Sequence, residues 1–276
     1  MHGLSTVAAL IIEQVQGSAG VLIPPVGYLK RLREICTKYG ILLIFDEVIT
    51  GFGRLGTHFK ANYFEVTPDI LLCAKGLTNG AVPMGAVAVK REIYDAFMDK
   101  SPPGAIELPH GYTYSAIPIA CPAALATLNI FAHEQLEARA GELSGYFEAV
   151  AHSLKGLPML RDIRNLDLMV GIEFEPSFNT ENTPRIGAFA FAFAVHLKCY
   201  ELGLHLRFTD DIIMLSPPLI IEKYEIDRIF NTLNDATKFV ASQGQAVFRL
   251  IIILKMNKLG RQIACQKIKS QIIMRL

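Results

Sequence analysis

Apolar residues in this chain gather into short continuous runs separated by Gly-, Pro- and polar-rich stretches. Ala8–Ile12, Ile41–Phe45, Ile70–Ala74 and Ala86–Val89 are four such runs. Runs of about five apolar residues bounded by Gly and polar residues predict strands buried on both faces of a parallel sheet. Between the first two, Gly27–Gly40 has helical spacing, with Leu29, Leu32, Ile35, Cys36 and Tyr39 on one stripe and Gly40 as the stop. Helix followed by strand predicts a right-handed crossover unit. A short helix is expected over Glu92–Met98, and mostly helix over Pro118–Leu154. Arg161–Asn165 and Leu168–Glu175 read as strands, Gly187–Leu202 as a helix, and Gly203–Phe208 and Ile212–Pro218 as edge strands. Glu222–Val240 reads as a closing helix with Ile226, Ile229, Phe230 and Leu233 turned inward. The sequence has no internal repeats.

Each of the first three runs ends in an ionisable residue: Glu13, Asp46 and Lys75. In open parallel sheets ligands bind beyond the carboxyl ends of the strands, so Asp46 and Lys75 are expected at the ligand edge. A lysine there acts as a nucleophilic amine if desolvation lowers its pKa. An aspartate beside it is suited to hold a protonated ring nitrogen. That pair is what pyridoxal phosphate (PLP) chemistry requires, a Schiff-base Lys with an acid on the pyridinium nitrogen. A structural Asp and a surface Lys at strand ends are the plain alternative.

The wording around these residues is more specific. Asp46-Glu47-Val48-Ile49-Thr50-Gly51-Phe52-Gly53-Arg54 followed by Ala74-Lys75-Gly76-Leu77-Thr78-Asn79-Gly80 resembles the signature of class III aminotransferases, nearest to the omega-amino acid (beta-alanine):pyruvate transaminases. The resemblance runs from about Ala8 to about Val240. It implies an α/β protein of the fold type I PLP-dependent transferases that works as a homodimer. Residues 1–132 correspond to part of a large PLP-binding domain with a mostly parallel sheet, and 133–240 to a small C-terminal α/β domain. The family also carries an N-terminal part, with a phosphate-binding turn and a ring-stacking aromatic, that is not visible here, so the chain reads as a C-terminal portion.

The resemblance also implies roles. Lys75 is the imine lysine and proton carrier, Asp46 the ring-nitrogen partner, and Val48 the residue pressed on the ring face. Glu13 matches the active-site Glu, although Gln14 stands where the family has Pro. Thr113 in His110–Ser115 matches a Thr that reaches the cofactor phosphate of the other subunit, while Ile117 replaces a family His. Arg207 matches the Arg that grips the substrate carboxylate, a task suited to its fork of donors. The expected reaction moves an amino group from an omega-amino acid or amine, such as beta-alanine, to pyruvate or another 2-oxo acid. Ornithine, 4-aminobutyrate or semialdehyde substrates, or an inactive remnant, are the alternatives.

Gly51-Phe52-Gly53-Arg54-Leu55-Gly56 also matches G-x-G-x-x-G. That dinucleotide fingerprint needs its glycines to turn directly from strand to helix, and Asp46–Thr50 intervene while Thr57–Val66 lacks a helical apolar stripe. A net charge of +1 argues against a nucleic-acid partner. The five cysteines are scattered without a C-x-x-C pair, and the histidines lack metal spacing, which fits a metal-free cytoplasmic protein. No apolar run reaches the roughly 18 residues of a spanning helix. Residues 241–276 hold seven Lys and Arg and no acid, so removing them from +1 leaves −6 for residues 1–240. This basic tail reads as a non-family extension, with a membrane-surface segment as the alternative.

Overall fold

The computed structural model describes residues 3, 6–104, 110–175 and 190–242. The basic tail beyond Ser242 and the start of the expected Gly187–Leu202 helix lie outside them. The chain divides into two compact units. The first comprises Met1–Ala149, Arg164–Val170 and Ser216–Lys223; the second comprises Val150–Ile163, Gly171–Leu215 and the chain from Tyr224.

The first unit is built on a four-stranded sheet of β1 (Ala9–Ile12), β2 (Leu42–Asp46), β3 (Ile70–Cys73) and β4 (Ala86–Val89), in that spatial order. β1, β2 and β3 are parallel, with Ile12 beside Phe45 and Asp46 beside Leu72. β4 runs antiparallel to β3, so one edge of the mostly parallel sheet is reversed. α1 (Tyr28–Tyr39) ends at Gly40, whose left-handed backbone (φ 66°) lets its N–H return to the helix carbonyls. Leu29 and Cys36 of α1 pack with Leu43 and Phe45 of β2 and with Ala61 and Val66 beyond it. α2 (Lys60–Phe64) supplies Ala61, a short helix in a stretch where the sequence predicts none. Five residues suffice because Ala61 is held by the core and by Glu47, not by a long apolar stripe.

The strands are not buried on both faces as expected. Leu43 and Phe45 are fully buried, whereas Ile11 and Val87, on the opposite face, are 60% and 65% exposed. α1 and α2 cover the face that carries Phe45. Side chains alternate across a strand, and on the other face Ile44, Ile70 and Leu72 are only half-buried.

α3 (Arg91–Met98) follows β4, and α4 (Ala120–His133) packs on the turn after β3. α5 (Leu136–His152), β5 (Leu160–Leu166) and β6 (Met169–Phe174) follow. A second sheet has the order β5-β6-β8-β7, with β7 at Arg207–Thr209 and β8 at Ile212–Leu215. β8 is therefore an interior strand, not an edge, and its Ile213 is fully buried. In the second unit, α6 (Ala190–Glu201) and α7 (Lys223–Ser242) supply the helices. α7 buries Ile226, Phe230, Leu233, Ala236, Thr237 and Val240, while Ile229 is only half-buried. No helix among the described residues is long and apolar enough to cross a membrane.

Candidate active site

The carboxyl ends of β1, β2 and β3 lead to Glu13, Asp46 and Lys75: Glu13 follows Ile12, the partner of Phe45, and Lys75 lies three residues beyond Leu72, the partner of Asp46. Asp46 is the last residue of β2. One of its oxygens accepts the Val48 N–H at 3.0 Å, which closes a turn and stops the strand. Val48 lies past the end of the strand and sits half-buried in that turn. The second Asp46 oxygen takes no hydrogen bond among the described residues. Glu13 is half-buried and accepts the Gly17 N–H at 3.1 Å, tying the loop that leaves β1.

Glu47 is the centre of this edge, and the sequence reading passed it over. It is fully buried and accepts Gln14 Nε2 at 2.7 Å, the Ala61 N–H at 2.8 Å and the Thr50 hydroxyl at 3.4 Å. It thereby joins the end of β1, the loop after β2 and α2. Gln14, in the place of the family's Pro, gives Glu47 an amide donor. The signal was available: Glu47 is two residues beyond the core Phe45 and so continues its covered face.

The loop after Glu47 turns back on itself. Gly51 donates to the Glu47 carbonyl at 3.0 Å, and a Cβ there would meet that carbonyl at 2.9 Å. Phe52 (φ 59°) and Gly53 (φ 75°) are left-handed, and their N–H groups bond the carbonyls of His58 and Thr57. The three glycines of the G-x-G-x-x-G match shape this turn; none of them opens a helix. The Phe52 ring packs edge-on to Phe59 and Phe131. Its Cβ lies where a side chain on Gly76 would have to be, 2.8 Å from a Cβ built there. The loop thus braces the residue next to Lys75.

Lys75 opens a single 3₁₀ turn directly after β3 and holds a left-handed backbone (φ 43°), a strained conformation for a residue other than glycine. Its carbonyl accepts the Thr78 N–H at 3.3 Å, and the Thr78 hydroxyl bonds the Val82 carbonyl at 2.6 Å. The side chain is exposed and reaches a cavity of about 640 Å³. Arg54 lines the same cavity, and its guanidinium bonds the Pro217 carbonyl. Burial lowers that guanidinium to about 10, so it stays charged at neutral pH.

Of the six residues predicted for the site, Lys75 alone lines this cavity. Glu13, Asp46 and Val48 stand at the same sheet edge, outside its wall. Thr113 is exposed in a turn closed by the Ser115 N–H on the Tyr112 carbonyl, at 2.9 Å. Arg207 is exposed at the start of β7, opposite Met214, in the second unit.

Residues 3–237 match the class-III aminotransferase family. The chain belongs to that family. An omega-aminotransferase of Caulobacter vibrioides is 55% identical over 84% of this chain and 51% of its own length. A beta-alanine–pyruvate aminotransferase of Pseudomonas aeruginosa is 47% identical over 87% of this chain and 52% of its own. The chain thus spans about half the length of these curated relatives. Among solved structures, taurine:2-oxoglutarate aminotransferase from Bifidobacterium kashiwanohense, in complex with PLP and glutamate, superposes with a TM-score of 0.78 at 31% identity. That match covers 87% of this chain and 53% of the other. The class-III aminotransferase chain accordingly has the expected architecture, part of a fold type I PLP-dependent transferase.

Proposed function

We propose that this chain is the lysine-bearing portion of a PLP-dependent transaminase that moves an amino group from an omega-amino acid such as beta-alanine to pyruvate. The observation that carries the reading is that neighbouring strands bring both groups to one sheet edge: an exposed Lys75 amine after β3, and an Asp46 carboxylate with one unengaged oxygen at the end of β2. This donor set fits the cofactor, since it offers an amine for an aldehyde and an acceptor for a ring N–H. When bound, PLP supplies an electron sink that stabilises negative charge on the substrate carbon bearing the nitrogen.

Lys75 Nζ would hold the cofactor and carry the proton to and from that carbon. Asp46 would keep the ring nitrogen protonated, with Val48 against the ring face and Glu13 at the neighbouring strand end. Thr113 would reach the phosphate across a homodimer interface, in a segment where Tyr112 and Tyr114 are also exposed. Arg207 would grip a substrate carboxylate. Amino donor and 2-oxo acid are then the partners. Four cysteines without disulfides among the described residues favour the cytoplasm.

The test is reductive labelling. The purified chain is mixed with PLP, reduced with borohydride and digested, and the pyridoxyl mass is sought by mass spectrometry. The label is expected on Lys75 and absent from Lys75→Ala. Label on another lysine, or none, refutes the assignment. A panel of beta-alanine, ornithine and 4-aminobutyrate then separates the donors.

A further inference from the structure

The Lys75 cavity holds a charge that the roles above leave unused. Arg54 enters it from the loop after β2, beside an apolar wall that includes Phe52, Phe131 and Leu219. Arg54 is half-buried, and a partly desolvated cation is normally paired with an anion, because desolvation is costly. Arg54 has no acidic partner among the described residues; its bond goes to the neutral Pro217 carbonyl through one Nη, leaving the rest of the fork free. Glu134 also lines the cavity, but it is exposed and makes no ion pair with Arg54. The cavity therefore presents an amine and a guanidinium against one rim carboxylate. At about 640 Å³ it is of the size that takes a small organic ligand.

We propose that Arg54 is a carboxylate-binding residue of this cavity, taking the acid end of a substrate whose nitrogen end lies toward Lys75. The inference rests on the transaminase reading for its choice of substrate, and adds a carboxylate subsite built by the first unit alone. An arginine fork matches a carboxylate with two parallel N–H···O bonds, and the apolar wall suits the methylene groups between the two ends. A phosphate would satisfy the same fork, so the experiment separates the two anions.

Propionate, propionamide and inorganic phosphate are titrated calorimetrically into the full chain without cofactor. Propionate is expected to bind, propionamide not, and phosphate more weakly than propionate. Arg54→Gln is expected to abolish propionate binding. Should Arg54→Gln lose its helical circular dichroism, phenylglyoxal labelling of the wild-type chain decides. Propionate at ten times its dissociation constant is expected to slow modification of Arg54 roughly tenfold. A wild-type chain that binds no propionate overturns the proposal, as does equal binding of propionamide, tighter binding of phosphate, or binding that survives in a folded Arg54→Gln. If borohydride labelling fails at Lys75 while Arg54 still binds propionate, the transaminase reading falls and the carboxylate subsite stands.

Discussion

Asp69 is an electrostatic lock in the first unit, and its removal makes a quantitative test. Its carboxylate sits at the amino end of β3, only 12% exposed. One oxygen accepts the Leu43 N–H at 2.7 Å and Arg33 Nη1 at 2.7 Å; the other accepts Lys90 Nζ at 2.8 Å. One side chain thus ties together α1, β2, β3 and the residue that follows β4. Burial by itself would raise its pKa, but the Leu43 N–H, Lys90 and Arg33 outweigh it and hold the carboxyl at about 2. The unfolded chain protonates an Asp near 3.9, so the folded state favours the ionised form by roughly 2.5 kcal/mol. Solvent around Lys90 and Arg33 screens part of that, leaving about 1–2 kcal/mol. The folded pKa is depressed, so this stability is complete above about pH 5 and is lost as the pH falls toward 2. Urea unfolding of wild type and Asp69→Asn, followed by circular dichroism, measures it. The variant is expected to be about 1–2 kcal/mol less stable at pH 7, and the gap to narrow steadily between pH 5 and pH 2.5. A gap that is absent at pH 7, or unchanged at pH 2.5, refutes the reasoning.

Glu47→Ala strands the Gln14 amide and the Ala61 N–H inside the protein, and is expected to cost about 2–4 kcal/mol, read as a lower urea midpoint; a shift below about 0.5 kcal/mol would mean the network is not structural. In the second unit, Asp211 is buried with an unpartnered oxygen, and burial followed by Asp210 and Glu173 pushes its carboxyl up to about 7. A raised acid costs stability once it is forced to ionise, so the loss grows as the pH rises from about 4 to about 7. Asp211→Asn is expected to stabilise the chain by about 2–4 kcal/mol at pH 8 and by little at pH 4; equal effects at both would contradict the assignment.

How much of this was legible in the sequence depended on periodicity. The apolar runs located β1 to β4, and the stripe from Leu29 to Tyr39 with Gly40 after it located α1 nearly to the residue. The strand ends followed, and with them Glu13, Asp46 and Lys75 at one sheet edge. What failed was anything decided by tertiary cover. An apolar run does not say whether one face or both are packed, so Ile11 was read as buried. Nor does a run say which strands flank it, so the interior position of β8 was missed. Residue type likewise could not separate Glu47 from Asp46: the first is a structural clamp inside the protein, the second a half-exposed acceptor, and only their opposite sides of the strand distinguish them. Arg54 was read as part of a motif; its half-buried charge, without an acidic partner among the described residues, depends on how the loop through Phe52 folds over Gly76.

The two ends of the first sheet divide the work between them. At the amino end of β3, an ionised Asp69 joins neighbouring elements through short, charge-assisted bonds that favour one register. At the carboxyl end, Lys75 holds a left-handed backbone and the nearby Arg54 is desolvated, both costly arrangements that contribute nothing to packing. Such strain persists only where the surroundings over-determine it, and here Glu47 fixes the loop while Phe52 presses on Gly76. The Glu47 clamp braces the ligand edge from inside the protein, which leaves Lys75 and Arg54 to present an amine and a guanidinium to solvent and cavity. It follows that losing the Asp69 lock should lower the unfolding midpoint without changing the affinity of the cavity for a carboxylate, whereas losing the Glu47 clamp should lower both.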